Sequence, residues 1–138
     1  MEPGRPIRLL IVDDYDAFRR YATLYVKRAS PDSTVLEARD GNAALRILAT
    51  EQVDLVALDV SMPGENGFEI LVRIRERWPN VPVLMLTLNA DPEYVRHALD
   101  LGAHGFLLKD RVSRDLMDAV NALLSGGTFT PDSSSEKF

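Results

Sequence analysis

The sequence contains no cysteine, which excludes disulfides, thiolate catalysis and cysteine-ligated metals. Long apolar runs are also absent, since none approaches the ~18 residues that a membrane-spanning helix requires. The start of the chain lacks the apolar core of a signal peptide. Basic residues are not in excess, because the net charge is -5 and the pI is near 5.0. These absences argue against a chain that mainly binds nucleic acid or a membrane, and we expect it to be cytoplasmic.

Length and composition are those of one soluble globular domain. The 138 residues can bury a sizeable core, and 46% of them are hydrophobic against 27% charged. We predict a flexible leader over residues 1–6, a folded domain over residues 7–127 and a linker or disordered tail over residues 128–138. The tail is predicted from its polar, serine-rich composition, which leaves little apolar surface to bury.

Short apolar runs alternate with segments of helical periodicity along the domain. Buried strands are predicted over Ile7–Val12, Thr34–Ala38, Val56–Asp59, Val81–Thr87 and Gly105–Lys109. Asp16, Asp91 and Ser113 are the predicted N-caps of the first, fourth and fifth helices, and Asp40-Gly41 begins the second. This alternation predicts an α/β fold, a doubly wound five-stranded parallel sheet with helices on both faces. In the flavodoxin-like strand order 2-1-3-4-5, a crevice opens between strands one and three.

Four of the predicted strands end in polar residues, namely Asp13-Asp14, Asp59, Thr87 and Lys109. Taken singly, each has a plainer interpretation as a turn residue, a hydroxyl bonded to its own backbone, or a solvated surface lysine. The carboxyl ends of parallel strands, however, lie at one edge of a sheet, where ligands bind in open α/β folds. We therefore expect these side chains to lie together at the crevice.

Such a group of side chains suits phosphoryl transfer. Neighbouring carboxylates repel one another unless they share a cation, and Mg²⁺ fits because it takes few protein carboxylates and keeps several waters. The Lys109 ammonium and the Thr87 hydroxyl would position and neutralise a phosphoryl group. A carboxylate can itself be the nucleophile and form an aspartyl phosphate. Asp59, the most central of the carboxylates, is the predicted nucleophile.

The same residues resemble a known family. The pattern Asp59-x-x-Met62-Pro63-x-x-x-Gly67, together with Asp13-Asp14, Thr87 and Lys109, resembles the receiver domain of two-component response regulators over roughly Ile7 to Gly127. The C-terminal half is most similar to receivers attached to LuxR-type (NarL/FixJ) helix-turn-helix domains. That second likeness is carried by Ala98-Leu99-x-x-Gly102-Ala103-x-Gly105-Phe106-Leu107-Leu108-Lys109-Asp110.

The resemblance implies a role for each site residue. Asp59 would be the phosphoacceptor, and Thr87 and Lys109 would bind the phosphoryl oxygens. Asp14 and Asp59 would hold Mg²⁺ directly, Asp13 would act partly through water, and the backbone carbonyl of Ser61 would complete the protein's ligands. Phe106 would be the switch aromatic, turning inward when Thr87 is drawn toward the phosphate.

The resemblance also implies partners. The phosphoryl donor would be a sensor histidine kinase, and the surface around the fourth helix, fifth strand and fifth helix would switch on phosphorylation. A homodimer would form in that state, and transcription would be controlled through a DNA-binding domain absent from this chain. Two positions depart from the family pattern, because Leu88 replaces a usual alanine and Asp110 replaces the proline that commonly follows the lysine.

Other functions remain open at the level of sequence. A Mg²⁺-dependent phosphohydrolase could use the same aspartyl phosphate, although no insertion offers a cap over a substrate. A receiver-like domain that phosphorylates poorly could act as a protein-interaction module. A flavodoxin-like cofactor binder would need a phosphate loop where Asp13-Asp14 stands, and direct DNA binding has only two arginine clusters to support it.

Overall fold

A computed structural model describes residues 6–89 and 91–131 of the chain. The strands are β1 (Arg8–Val12), β2 (Thr34–Ala38), β3 (Leu55–Asp59), β4 (Ser61–Met62), β5 (Glu65–Asn66), β6 (Val83–Thr87) and β7 (Gly105–Leu108). The helices are α1 (Asp16–Ala29), α2 (Gly41–Thr50), α3 (Gly67–Arg77), α4 (Pro92–Asp100) and α5 (Val112–Leu124), with a 3-10 turn at Lys109–Arg111. None of these helices is both long and apolar enough to span a membrane.

The central sheet is parallel and has the order β2-β1-β3-β6-β7. Strands β4 and β5 form a separate antiparallel hairpin, so the five main strands follow the 2-1-3-4-5 order. The predicted α/β fold, with helices on both faces of a doubly wound sheet, is confirmed. In this order β3 lies between β1 and β6, which places Asp59 near the middle of the sheet edge.

Two hydrophobic layers enclose the sheet. Alternate residues of β1 point to opposite faces, so Leu10 and Val12 join one layer while Leu9 and Ile11 join the other. The first layer packs against α2, α3 and α4, and the second against α1 and α5. Every residue of β3 and of β6 is buried, as their unbroken apolar runs predicted. This double burial makes β3 a rigid support for the residue at its end.

The predicted helix starts were partly wrong. Asp40 and Asp91 do cap their helices, accepting hydrogen bonds from the N–H groups two or three residues ahead. The N-cap of α1, however, is Tyr15, because the Asp13 carboxylate accepts the Tyr15 N–H at 2.9 Å and starts the helix one residue early. Ser113 likewise lies inside the first turn of α5, since the preceding 3-10 turn leads directly into that helix.

The chain leaves α5 along the edge of the sheet. Phe129 forms a parallel bridge with Gly105, and the Phe106 N–H donates to the Phe129 carbonyl at 2.8 Å. The Phe129 side chain packs against the layer under α1 and α5. The fold therefore continues beyond Gly127. Residues 1–5 of the predicted leader and residues 132–138 of the predicted tail lie outside the described residues.

The β4–β5 hairpin follows directly after Asp59 and was not among the predicted strands. Gly64 takes a φ of +73° at its tip, a conformation that favours glycine. At its base the Gly67 N–H donates to the Val60 carbonyl at 2.8 Å. A Cβ at Gly67 would lie 2.3 Å from the Asp59 carbonyl oxygen, so only glycine permits this approach. The hairpin is thereby held against the end of β3.

Two alanine substitutions in this hairpin are expected to differ in cost. Gly67→Ala forces Cβ against the backbone of Asp59 and should lower the free energy of unfolding by about 3 kcal/mol. Gly64→Ala meets no atom within 4 Å and should cost only about 1 kcal/mol for its left-handed backbone. Urea unfolding of both variants measures the difference. Equal losses would show that the close approach at Gly67 is unimportant.

Candidate functional site

The polar strand ends predicted from sequence meet at one edge of the sheet. Asp13 follows β1, Asp59 ends β3, Thr87 ends β6 and Lys109 follows β7. Asp59 and Lys109 both line a cavity of about 580 Å³, and Thr87 lies in the same wall. Asp13 joins them through Lys109. The parallel sheet has therefore brought together residues that are far apart in the chain.

Lys109 connects two buried carboxylates. Its Nζ lies 2.5 Å from Asp13 Oδ2 and 3.3 Å from Asp59 Oδ2. The carboxylate of Asp13 is fully buried and that of Asp59 is 5% exposed, so water screens these contacts little. The same Nζ lies 4.9 Å from the centre of the Phe18 ring on α1, within range of a cation–π interaction. The Lys109 ammonium is thus held between α1 and the ends of β1 and β3.

The surroundings of Asp59 raise the pKa of its carboxyl. Burial raises the pKa of the Asp59 carboxyl above its ordinary value, and the nearby Asp13 carboxylate raises it further. Lys109 opposes this change, as does the Ser61 N–H, which donates to Asp59 Oδ1 at 3.2 Å. The opposing contacts do not fully offset burial, so ionised Asp59 gains from any additional positive charge.

Asp13, Asp14 and Asp59 form the acidic group expected for a metal. Each offers one carboxylate oxygen, and these oxygens all lie within 4.8 Å of one another. Asp14 is exposed. Asp13 Oδ2 is buried and accepts no hydrogen bond from the described residues, and its one ion pair among them is the 2.5 Å contact with Lys109. A hard cation with oxygen ligands satisfies such a group, so the residues fit Mg²⁺.

The Thr87 hydroxyl is engaged with the loop that follows β6. It donates to the Asn89 carbonyl and accepts the Asn89 N–H, both at 3.1 Å. Leu88 lies between these residues and is 78% exposed. Its side chain is one of those that line the cavity. The departure from the family pattern at this position therefore lies in the cavity wall.

Phe106 lies in the core and does not line the cavity. It is fully buried in the layer that packs against α2, α3 and α4, opposite Met85 in the sheet register. Ser61, the predicted source of a backbone carbonyl ligand, is the first residue of the β4–β5 hairpin and lines the cavity. Of the predicted site residues, Asp59, Ser61, Thr87 and Lys109 thus line the cavity, whereas Phe106 lies in the core.

Two contributors to the site were missed at the level of sequence. Neither Phe18 nor Glu65 was among the predicted site residues. Phe18 contacts the Lys109 ammonium, and Glu65 lines the cavity from the hairpin. No local pattern marks either residue, because each contact joins elements that are distant in the chain.

Comparison with known proteins identifies relatives. A family model described as the response regulator receiver domain matches residues 9–121. The transcriptional regulatory protein DegU of Brevibacillus brevis is 32% identical, over 89% of this chain and 52% of its own length. The nitrate/nitrite response regulator protein NarL of Escherichia coli K12 is 33% identical, over 91% and 58%. The chain therefore spans somewhat more than half the length of these curated relatives.

A solved structure shows the same fold. It is the isolated receiver domain of RcsB from Salmonella enterica serovar Typhimurium, determined in the presence of the phosphomimetic BeF3-. The TM-score is 0.83 at 28% identity, and the alignment covers 95% of this chain and 97% of that domain. The likeness therefore extends over the whole sheet and its helices.

Replacing Asp59 should stabilise the metal-free protein. Because the folded protein has the higher pKa, ionisation of Asp59 lowers the free energy of unfolding. This loss is complete at a pH above the raised pKa and absent at a pH well below 3.8, the ordinary value. Asp59→Asn removes the cost, so we expect its Tm at neutral pH in EDTA to exceed the wild-type Tm by a few degrees. The difference should vanish as the pH falls toward 3.8.

Thermal melts followed by circular dichroism over this pH range measure the effect. Asp118→Asn is the matched control, because its carboxylate is exposed on α5 away from the site. A lower Tm for Asp59→Asn than for wild type at neutral pH would contradict a destabilising charge at Asp59.

Proposed function

This chain belongs to the response regulator receiver domain family, and we propose that Asp59 is the carboxylate on which it accepts a phosphoryl group from a sensor histidine kinase. The observation that carries the proposal is the double ion pair of Lys109 with Asp13 and Asp59 beside an open cavity. A buried, positively flanked carboxylate at a strand end is suited to in-line attack on a phosphohistidine.

In the proposed phosphoryl transfer, Asp59, Lys109 and Thr87 have different roles. Asp59 attacks the phosphorus, the P–N bond to the donor histidine breaks, and its electron pair stays on the imidazole nitrogen. The Lys109 ammonium, already 3.3 Å from Asp59 Oδ2, stabilises charge on the phosphoryl oxygens. Thr87 supplies a hydroxyl to another of these oxygens. Positioning and charge neutralisation account for the rate, since a phosphoryl transfer needs little other help.

Receiver domains bind Mg²⁺ at an aspartate cluster, and the group formed by Asp13, Asp14 and Asp59 fits that ion. We propose that Asp14 and Asp59 hold it directly, that Asp13 acts partly through water, and that the Ser61 carbonyl completes the protein's ligands. Bound there, Mg²⁺ would neutralise the carboxylates and the phosphoryl oxygens. It would also lower the pKa of Asp59 and so keep the nucleophile ionised.

The switch is proposed to run from Thr87 to Phe106. When the Thr87 hydroxyl turns to the phosphoryl group, it leaves its two hydrogen bonds with Asn89 and draws the loop after β6 inward. The Phe106 ring is already fully buried, so that movement would change the packing around it. The surface formed by α4, β7 and α5 is expected to change with it, and homodimer formation is proposed as the consequence.

The wider role proposed is control of transcription. NarL and DegU are named as regulatory proteins, and both are longer than this chain. We propose that the chain is the phosphoacceptor module of such a regulator, that it acts in the cytoplasm, and that it does not itself bind DNA or a membrane. We further propose that it is a signalling domain with slow self-dephosphorylation and not a turnover enzyme.

Phosphorylation by acetyl phosphate and Mg²⁺ tests the assignment of Asp59. Intact-mass analysis should show one phosphoryl adduct on the wild type and none on Asp59→Asn. Asp118→Asn, which keeps the site intact, should be modified like wild type, and EDTA should abolish the adduct in every case. An undiminished adduct on Asp59→Asn would show that another residue is the acceptor. Release of phosphate from monoester substrates with turnover would favour a phosphohydrolase.

Removing the Thr87 hydroxyl should separate phosphorylation from switching. In the Thr87→Ala variant, Mg²⁺ and BeF3- should still bind at the site. The aromatic NMR signals of Phe106 should nevertheless stay at their unliganded positions. Thr87→Ser, which restores a hydroxyl, should recover most of the wild-type shift. If Phe106 responds equally in Thr87→Ala and wild type, the hydroxyl is not the link between the two residues.

A further inference from the structure

Glu65 makes a contact that the phosphoacceptor chemistry does not require. Its Oε1 accepts the N–H of Gly41, the first residue of α2, at 2.8 Å. The first N–H groups of a helix have no partner within the helix, and its positive end favours a carboxylate. The contact therefore joins the β4–β5 hairpin to the N-terminus of a helix that lies elsewhere in the chain.

The lack of a side chain at Gly41 leaves room for the Glu65 carboxylate. A Cβ at Gly41 would lie 2.7 Å from Glu65 Oε1 and 2.9 Å from Ile70 Cγ1, so the absence of a side chain allows the carboxylate to reach the backbone. Asp40 already caps the same helix by accepting the Ala43 N–H. The Glu65 carboxylate is thus a second acceptor at this helix end, directed to a different N–H group.

The hairpin carries the Ser61 carbonyl proposed as a metal ligand. Ser61 pairs with Asn66, and Met62 pairs with Glu65, so the strand that carries Ser61 is bonded to the strand that carries Glu65. The base of the hairpin is held by the Gly67 N–H on the Val60 carbonyl. Glu65, beside the tip, supplies the bond to α2. The hairpin is therefore held at its base by Val60 and near its tip by α2.

Glu65 also lies at the border between two concave surfaces. It lines the 580 Å³ cavity together with Asp59 and Ser61, and it lines a groove of about 250 Å³ together with Gly41. Among the described residues it is not a member of the acidic group that could hold a metal. A route from Glu65 to the metal runs through the hairpin, which carries the Ser61 carbonyl.

We infer that Glu65 is a positioning residue, whose carboxylate anchors the hairpin on α2 and holds the Ser61 carbonyl ready for Mg²⁺. The inference rests on the proposed function, in which that carbonyl is a ligand. Partners that orient metal ligands typically change metal affinity by about 10-fold or more when they are removed. An anchor of this kind should affect the Mg²⁺ requirement more than the chemistry at saturating Mg²⁺.

Glu65→Ala tests the inference with two readouts. In acetyl phosphate reactions, the Mg²⁺ concentration at half-maximal rate should rise by about 10-fold, with little change in the rate at saturating Mg²⁺. In thermal melts without any phosphodonor, the Mg²⁺ concentration needed to raise the Tm should increase by a similar factor. A purely structural hydrogen bond would instead lower the Tm in EDTA and leave both Mg²⁺ midpoints unchanged.

Two control variants distinguish the anchor from a general charge effect. Glu65→Gln keeps a side-chain oxygen that can accept the Gly41 N–H, and it should restore midpoints close to wild type. Glu69→Ala removes a carboxylate from the same groove but outside the cavity, and it should leave both midpoints unchanged. An equal rise in Glu69→Ala would mean that charge near the groove, and not the anchor, sets the Mg²⁺ affinity.

Wild-type Mg²⁺ midpoints in Glu65→Ala would overturn the inference. If that variant does not fold, Glu65→Asp replaces it, because a carboxylate one methylene shorter should no longer reach the Gly41 N–H and should raise the midpoints in the same direction. Failure of the proposed function would be visible separately, as absence of a phosphoryl adduct on the wild type. The thermal Mg²⁺ titration would still report on Glu65 in that case.

Discussion

The Lys109 ammonium holds together carboxylates that would otherwise repel one another. The fold places Asp13 and Asp59 in a largely buried site, and Lys109 lies 2.5 and 3.3 Å from their oxygens. One positive charge cannot fully offset two neighbouring negative charges, so burial still raises the pKa of Asp59. The remaining negative charge explains why the residues fit Mg²⁺, whose charge would also offset that of a phosphoryl group.

The backbone around Asp59 holds its carboxylate in a fixed position. Strand β3 is buried along its whole length, and Gly67 allows the following hairpin to approach its last residue closely. Glu65 connects the hairpin to α2, while Thr87 is held by Asn89 on the other side of the cavity. Rigid supports thus surround Asp59 on one side, and a loop that can exchange hydrogen bonds lies on the other. This asymmetry suits the proposed function, in which the site binds Mg²⁺ and the loop moves in response to a phosphoryl group.

Most of the fold and of the candidate site was predicted from two patterns, the hydrophobic periodicity and the polar residues at strand ends. The five buried runs, their parallel order and the meeting of Asp59 with Lys109 followed from patterns visible in the chain. Helix starts at Asp16 and Ser113 were placed wrongly, because the Asp13 side chain and the 3-10 turn shifted the first helical residue. Such shifts arise from local hydrogen bonds that compete with standard caps, and composition alone does not rank them.

The sequence by itself determined the α/β architecture and the residue types at the strand ends, because burial on both faces demands unbroken apolar runs and polar residues end them. Only the tertiary structure decided which side chains touch. The Phe18 ring beside Lys109, the Glu65 carboxylate on the Gly41 N–H and the Phe129 carbonyl on the Phe106 N–H each join distant segments. Their geometry depends on how helices and loops pack on the sheet, which no local pattern encodes.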